Sequence, residues 1–366
     1  MKIAYVITRA DSVGGASIHV RDLAAAMRDL GHEVLVLVGG EGPVTEQFVV
    51  ANLPYRSLRF LRRPVNPALD VMAFGELVAA LRGFAPDLVS AHTAKAGWLG
   101  RAAARRLGLP VIYTPHGLPV HGRFYGAAAA MFHVAERTAS RWSTAIICVS
   151  DAEKRLALAA GLAAPDRLFV VHNGVRDVPP EFRAAPECDP VCICSVARFA
   201  PPKDHSTLLV ALATLRSRAW SLDLIGDGPK FAHARRLAEQ LGIAERVHFR
   251  GYRADPEPAL AASQLFVLST HSEAFPRSVL EAMRAGLPVV ASDAGGVREA
   301  VEHETTGLLV PPEDPHALAM SLDTLLTDSS LRARFGAAGR ASYERKFRLQ
   351  RTIEDTLAVY RAIMDV

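Results

Sequence analysis

The chain has no long apolar run. Within its 366 residues nothing approaches the ~20 consecutive apolar residues of a membrane-spanning helix. Met1 leads almost directly into the strand-like KIAYVIT, without the layout of a secretory signal, so the expected location is the cytoplasm. Cysteine is scarce: Cys148, Cys188, Cys192 and Cys194 are too few and too clustered for a disulfide framework. Cys192 and Cys194 alternate along VCICSVA, and with no histidine pair at ligand spacing beside them they read as small core residues rather than metal ligands. A three-glycine dinucleotide fingerprint is also missing. The strand-like SLDLIG runs into GDGP, Gly226 to Pro229, which does not support NAD binding.

What remains describes a folded α/β protein. Half the residues are hydrophobic and 22% are charged, and the length suffices for two domains, each with its own core. Apolar strand-like runs alternate with helical ones: IAYVIT, a helix over about 18–30, EVLVLVG, then strands near 88–91 and 111–114. This predicts a parallel, doubly wound sheet. The proline-rich stretch RDVPPEFRAAPECDP over 176–190 reads as an interdomain linker, after which the pattern restarts. The expected domains are 1–183 together with a last helix within 349–366, and 184–348. Charge is uneven: 21 basic against 15 acidic residues over 1–183, and 21 against 23 over 184–366. The basic first half points to an anionic partner. Nucleic acid is not expected, because no recognised binding motif accompanies the charge.

The most informative stretch is LFVLSTHSEAFPRSVLEAMRAGLPVVASDAGGVREA, Leu265 to Ala300. It reads as a buried strand, a loop, a helix with Pro276 in its first turn and Gly286 past its end, and a second strand. The loop joins the carboxyl end of a strand to a helix start, where free N–H groups and the helix dipole favour a phosphate. Glu273 and Glu281 bracket that helix start. A carboxylate beside a phosphate is repulsive unless it faces something else, such as sugar or ribose hydroxyls. The stretch therefore points to a nucleotide-sugar site.

EAFPRSVLEAM followed by GLPVVASDAGGVRE resembles the donor-site signature of the family 4 glycosyltransferases, which are retaining and have the GT-B fold. That resemblance implies an α/β architecture of two Rossmann-like doubly wound parallel-sheet domains facing across a cleft, an N-terminal acceptor domain and a C-terminal donor domain. It implies a hexosyltransferase in which Arg198, Lys203, Glu273 and His116 are catalytic. Gly15, Gly251, Tyr252, Ala274, Phe275, Pro276, Val279 and Glu281 would bind the donor, with Gly251 and Tyr252 at the nucleobase and Glu281 on the ribose. Gly14, His116 and Lys95 would meet the acceptor. Two departures stand out: Ala274 replaces a frequent glycine, and Arg277 a residue that is usually small or amide-bearing. The segment AHTAKAGWLGRAAARRLGLPVIYTPHG resembles members that act on polyprenyl-diphosphate-linked sugars in surface polysaccharide assembly.

The expected chemistry is transfer from a nucleoside-diphosphate sugar, a UDP-sugar ahead of a GDP-sugar, to a hydroxyl of a glycan or lipid-linked acceptor. No Asp-x-Asp metal holder occurs, so Arg198, Lys203 and the helix start would stabilise the departing diphosphate, with no metal and no resident cofactor. Two other readings share the constellation: a nucleotide-sugar 2-epimerase, and a non-catalytic nucleotide-sugar-binding subunit. YRSLRFLRR, residues 55–63, interleaves arginines with Leu58, Phe60 and Leu61. It reads either as a solvated surface or as a peripheral patch for an anionic membrane. The segment from Gly122 to Trp142 reads either as an amphipathic helix near the cleft mouth or as a core-facing one.

Overall fold

The computed structural model describes residues 1–118 and 128–364. The chain forms two compact units, Met1–His172 with Thr352–Val366, and Asn173–Arg351. In the first, seven parallel strands lie in the order β3-β2-β1-β4-β5-β6-β7: β1 Lys2–Ile7, β2 Glu33–Gly39, β3 Tyr55–Leu58, β4 Leu88–His92, β5 Val111–Thr114, β6 Ala145–Cys148 and β7 Leu168–Val170. In the second, six parallel strands lie in the order β10-β9-β8-β11-β12-β13: β8 Val191–Val196, β9 Trp220–Ile225, β10 Val247–Gly251, β11 Leu265–Leu268, β12 Val289–Ser292 and β13 Gly307–Val310. Both are Rossmann-like sheets. Strands covered on both faces must be apolar throughout, and Leu265, Phe266, Val267 and Leu268 are all 0% exposed. β4 breaks that rule, because its fully buried run LVSAH carries Ser90 and His92.

Each sheet reverses its strand order beside its first strand. β1 pairs with both β2 and β4, and β8 with both β9 and β11. Loops leaving the carboxyl ends on either side of such a point diverge and leave a crevice, where ligands bind in doubly wound sheets. In the first unit these are the loops after β1 and β4; in the second, those after β8 and β11.

The helices follow their local chemistry. Gly15–Asp29 starts earlier than the apolar period alone predicts, because Gly14 serves as N-cap: its N–H donates to Ser17 Oγ at 2.9 Å, and Ser17 Oγ returns a bond to its carbonyl. Arg277–Ala285 has Pro276 as N-cap and ends at Gly286 in the left-handed conformation, φ +84°. The last helix, Leu349–Met364, belongs from Thr352 onward to the first unit.

Two expectations change. The proline-rich stretch is no free linker. It is held on the second unit, where Arg332 Nε donates to Pro186 O at 2.6 Å, Ala184 N–H to Ala285 O at 2.8 Å, and Arg340 pairs with Asp177. The division of the chain accordingly falls before it, at 172/173. In residues 55–63 the arginines are exposed, but Leu58 and Leu61 are 1% exposed and belong to the first unit's core. The run therefore lacks most of the apolar half that a membrane-inserting patch needs. Of the segment 122–142, residues 122–127 lie outside the described residues; Ala128–Ser140 is a helix with Met131 and Val134 exposed. No described helix is long and apolar enough to cross a membrane.

Candidate active site

In the second unit the two switch-point loops are knitted together by backbone. Asp204 N–H donates to Ser269 O at 3.0 Å and His271 N–H to Pro202 O at 2.9 Å. That register brings Lys203 onto Glu273: the ammonium and the carboxylate form an ion pair whose side chains are 18% and 11% exposed. Thr270 Oγ1 donates to the same carboxylate oxygen at 3.0 Å. Two donors on one partly buried carboxylate oxygen hold the Glu273 side chain in place, and the Lys203 ammonium with it. Arg198 begins the loop after β8 and is exposed.

The Glu273 backbone is braced from the other side. Gly296 N–H donates to Glu273 O at 3.1 Å. Gly295 sits at φ +57°, where a Cβ would lie 2.0 Å from that same carbonyl. This is the physical reason for the Asp-x-Gly-Gly turn: only a residue without a side chain lets the turn come this close. Asp293 points elsewhere, into an ion pair with Arg298.

The helix start is equally well fixed. Phe275 is 4% exposed, its ring centroid 5.6 Å from that of Phe347, and its carbonyl accepts from Asn173 Nδ2 at 3.1 Å. Arg277 reaches back to Gly174 O at 3.0 Å. Pro276 offers no side-chain cap, and N–H groups and the dipole at a helix start favour an anion. Val279 is fully buried and could meet a ligand only through its backbone. Ala274 and Glu281 are half-buried. Gly251 ends β10 at φ +69°, and Tyr252 after it is 47% exposed.

The first unit's switch point is built of histidines. His92 at the end of β4, His116 after β5 and His19 on the first helix converge, with ligand nitrogens within 4.8 Å of one another. His92 Nδ1 and His116 Nε2 are 3.0 Å apart and share a hydrogen bond. Burial and the neighbouring His116 hold His92 well below the ordinary histidine pKa, so it is neutral. Thr93 and His116 both occupy the left-handed region, φ +65° and +56°. Strained backbone of this kind collects at functional sites.

The His116 loop is anchored by Glu153, which accepts Gly117 N–H at 2.7 Å and Val149 N–H at 2.9 Å. Burial raises that carboxyl to about 7. Gly14 has an extended backbone, and a Cβ placed there would meet nothing within 4 Å. Lys95, expected at an acceptor phosphate, is paired with Asp70 and donates to Pro64 O; it would have to leave both. His19, Thr270 and Glu153 escape sequence reasoning. For His19 the usable signal is its place one turn after the glycine pair, on the face looking back at the strand ends.

Comparison with known proteins bears on these two sites. Residues 13–177 match the family described as Glycosyltransferase Family 4, and residues 181–342 match Glycosyl transferases group 1. A GDP-mannose-dependent alpha-mannosyltransferase of Mycobacterium tuberculosis is 32% identical over 90% of this chain and 88% of its own length. The putative glycosyltransferase EpsD of Bacillus subtilis is 26% identical over 93% and 91%. Among solved structures, Anabaena HepE in complex with UDP and glucose superposes with a TM-score of 0.87 at 24% identity, covering 99% of both chains. Paired Rossmann-like sheets of this topology, with a lysine and a glutamate meeting at the second sheet's switch point, place the protein among the GT-B glycosyltransferases. It belongs to glycosyltransferase family 4.

Proposed function

We propose that the protein transfers a sugar from a nucleoside-diphosphate donor to an acceptor hydroxyl, with retention and without a metal. The donor is a UDP-sugar in preference to a GDP-sugar. The acceptor is a polyprenyl-diphosphate-linked sugar or another cell-surface glycan precursor. The observation that carries this reading is the Lys203 and Glu273 pair beside the uncapped start of helix Arg277–Ala285. Departure of a nucleoside diphosphate builds negative charge on its phosphate oxygens. A fixed ammonium, the Arg198 guanidinium and a helix N-terminus are the groups that oppose that charge. Glu273, held by Lys203 and Thr270, would accept from hydroxyls of the sugar, and Glu281 from those of the ribose. Gly251 and Tyr252 would take the base.

In the first unit Gly15 would approach the donor phosphate, while Gly14, His116 and Lys95 would meet the acceptor. The exposed arginines within 56–63 would draw the protein to anionic headgroups on the inner face of a membrane. Family membership supports the retention part of this reading. The base is where the named relatives divide, since one uses GDP-mannose and one structural neighbour holds UDP. A thermal-shift series with UDP-, GDP- and ADP-sugars decides it, because a donor that binds only the folded state raises its melting point. Transfer in excess chelator is expected at full rate, and abolition by chelator overturns the metal-free part. Epimerised donor in the absence of acceptor would replace the reading with an isomerase.

A further inference from the structure

The buried polar residues of β4 form one end of a chain that runs to His116. Tyr360, fully buried on the last helix, donates its hydroxyl to Ser90 Oγ at 2.8 Å. Ser90 Oγ lies 3.0 Å from His92 Nε2, and His92 Nδ1 lies 3.0 Å from His116 Nε2. A hydroxyl has one proton. Ser90 accepts from Tyr360, and among the described residues the only acceptor left for its own proton is His92 Nε2. A neutral imidazole carries one proton as well, so with Nε2 accepting, His92 holds its proton on Nδ1 and donates it to His116 Nε2.

We propose that Tyr360, Ser90 and His92 are positioning residues that lock His116 in its Nδ1–H tautomer, so that it presents an N–H donor, not a basic lone pair, to the substrate. In that form His116 does not take the proton of the acceptor hydroxyl. It donates to a sugar or phosphate oxygen, and the last helix of the chain sets that state from the opposite end of the relay. His19, whose ring centroid is 4.8 Å from that of His116 and tilted by 68°, packs edge-on and limits the ring's rotation.

This rests on His116 being functional, as proposed above, and the two claims separate experimentally. The test is side-chain 15N NMR of histidine-labelled full-length protein, with His116 signals assigned by their loss in His116→Ala, alongside transfer kinetics. Wild type is expected to show His116 as the Nδ1–H tautomer. Ser90→Ala removes the proton donated to His92 and is expected to convert His116 to a tautomer mixture and lower kcat about tenfold, with donor KM unchanged. Tyr360→Phe, which keeps the packing, is expected to do the same more weakly. Ser90→Ala is expected to have no further effect in a His116→Ala background. A wild-type Nε2–H tautomer, His116 signals unmoved in both variants, or additive effects in the double variant overturns the relay. Full turnover in His116→Ala overturns only the functional reading of His116.

Discussion

The two switch points use the same topology for opposite chemistry. In the second unit, after β8 and β11, the groups are ions held part-way from water: Lys203 against Glu273, with Arg198 exposed at the head of the loop. In the first, after β1, β4 and β5, they are imidazoles and hydroxyls joined in a chain of hydrogen bonds. Half-buried charge opposes charge at long reach and tolerates a moving diphosphate. A neutral hydrogen-bonded chain is directional and short-ranged, and it distinguishes one hydroxyl from its neighbour. On the function proposed above, the same Rossmann-like crevice would serve as an electrostatic clamp in one unit and as a geometric selector in the other.

The largest test of the contrast is Lys203→Ala. If the second unit's site is electrostatic, kcat falls by about 10²–10³, the loss seen when one donor to a developing oxyanion is removed. Stability falls by only about 1–2 kcal/mol, since Thr270 still donates to Glu273. Near-normal transfer by this variant would remove the clamp. Next comes Gly295→Ala. Its Cβ would meet Glu273 O at 2.0 Å from a left-handed backbone, so the turn must shift. We expect about 3 kcal/mol of destabilisation and loss of transfer with it, because the displaced carbonyl belongs to the residue that fixes Lys203. Unfolding in denaturant and initial rates read the two effects separately.

Legibility in the sequence follows the same division. The clamp could be read because its residues lie in one continuous stretch, Glu273 to Gly296, plus a lysine in the loop after β8, and because glycine, proline and glutamate at fixed spacing each have a local cause. The first unit's site could be read only in part. The segment AHTAKAGWLGRAAARRLGLPVIYTPHG carries His92 and His116, and the resemblance points to His116, but His19, Ser90, Glu153 and Tyr360 are single common letters spread from the first helix to the last, and only strand order brings them to those histidines. Ser90 and His92 inside an otherwise apolar strand are a further local trace, because two buried polar groups in a strand require partners. The proline-rich stretch misleads for a related reason. Composition marks it as irregular chain, and irregular chain can still be fastened by arginines that lie far along the sequence, such as Arg332 and Arg340.

Glu153 tests whether the first unit depends on groups held neutral. Its carboxyl is raised to about 7 from 4.5 by burial, so the folded protein holds a proton that the unfolded chain has released. That contribution to stability is fully present below pH 4.5 and is lost as pH rises to about 7, a change on the order of 3 kcal/mol. Glu153→Gln cannot titrate. The stability of wild type relative to the variant should therefore decline across this window and level off above it. A difference independent of pH would mean that the anchor of the His116 loop is ionised throughout.

The smallest expected effect is the most selective. Gly14 and Gly226 both follow strands in Rossmann-like sheets, but a Cβ at Gly226 would lie 2.0 Å from Ala197 O at φ +148°, whereas at Gly14 it would meet nothing within 4 Å on an extended backbone. Gly226 is thus required by the fold and Gly14 is not. Gly14→Ala should change stability by no more than about 0.5 kcal/mol, the small preference for glycine over alanine at an N-cap included. If the open space is where an acceptor approaches the helix start, a methyl group there obstructs it, and acceptor KM should rise about fivefold with donor KM unchanged. A rise in donor KM instead would assign the space to the diphosphate, and kinetics unchanged for both substrates would show that neither substrate comes close to this loop.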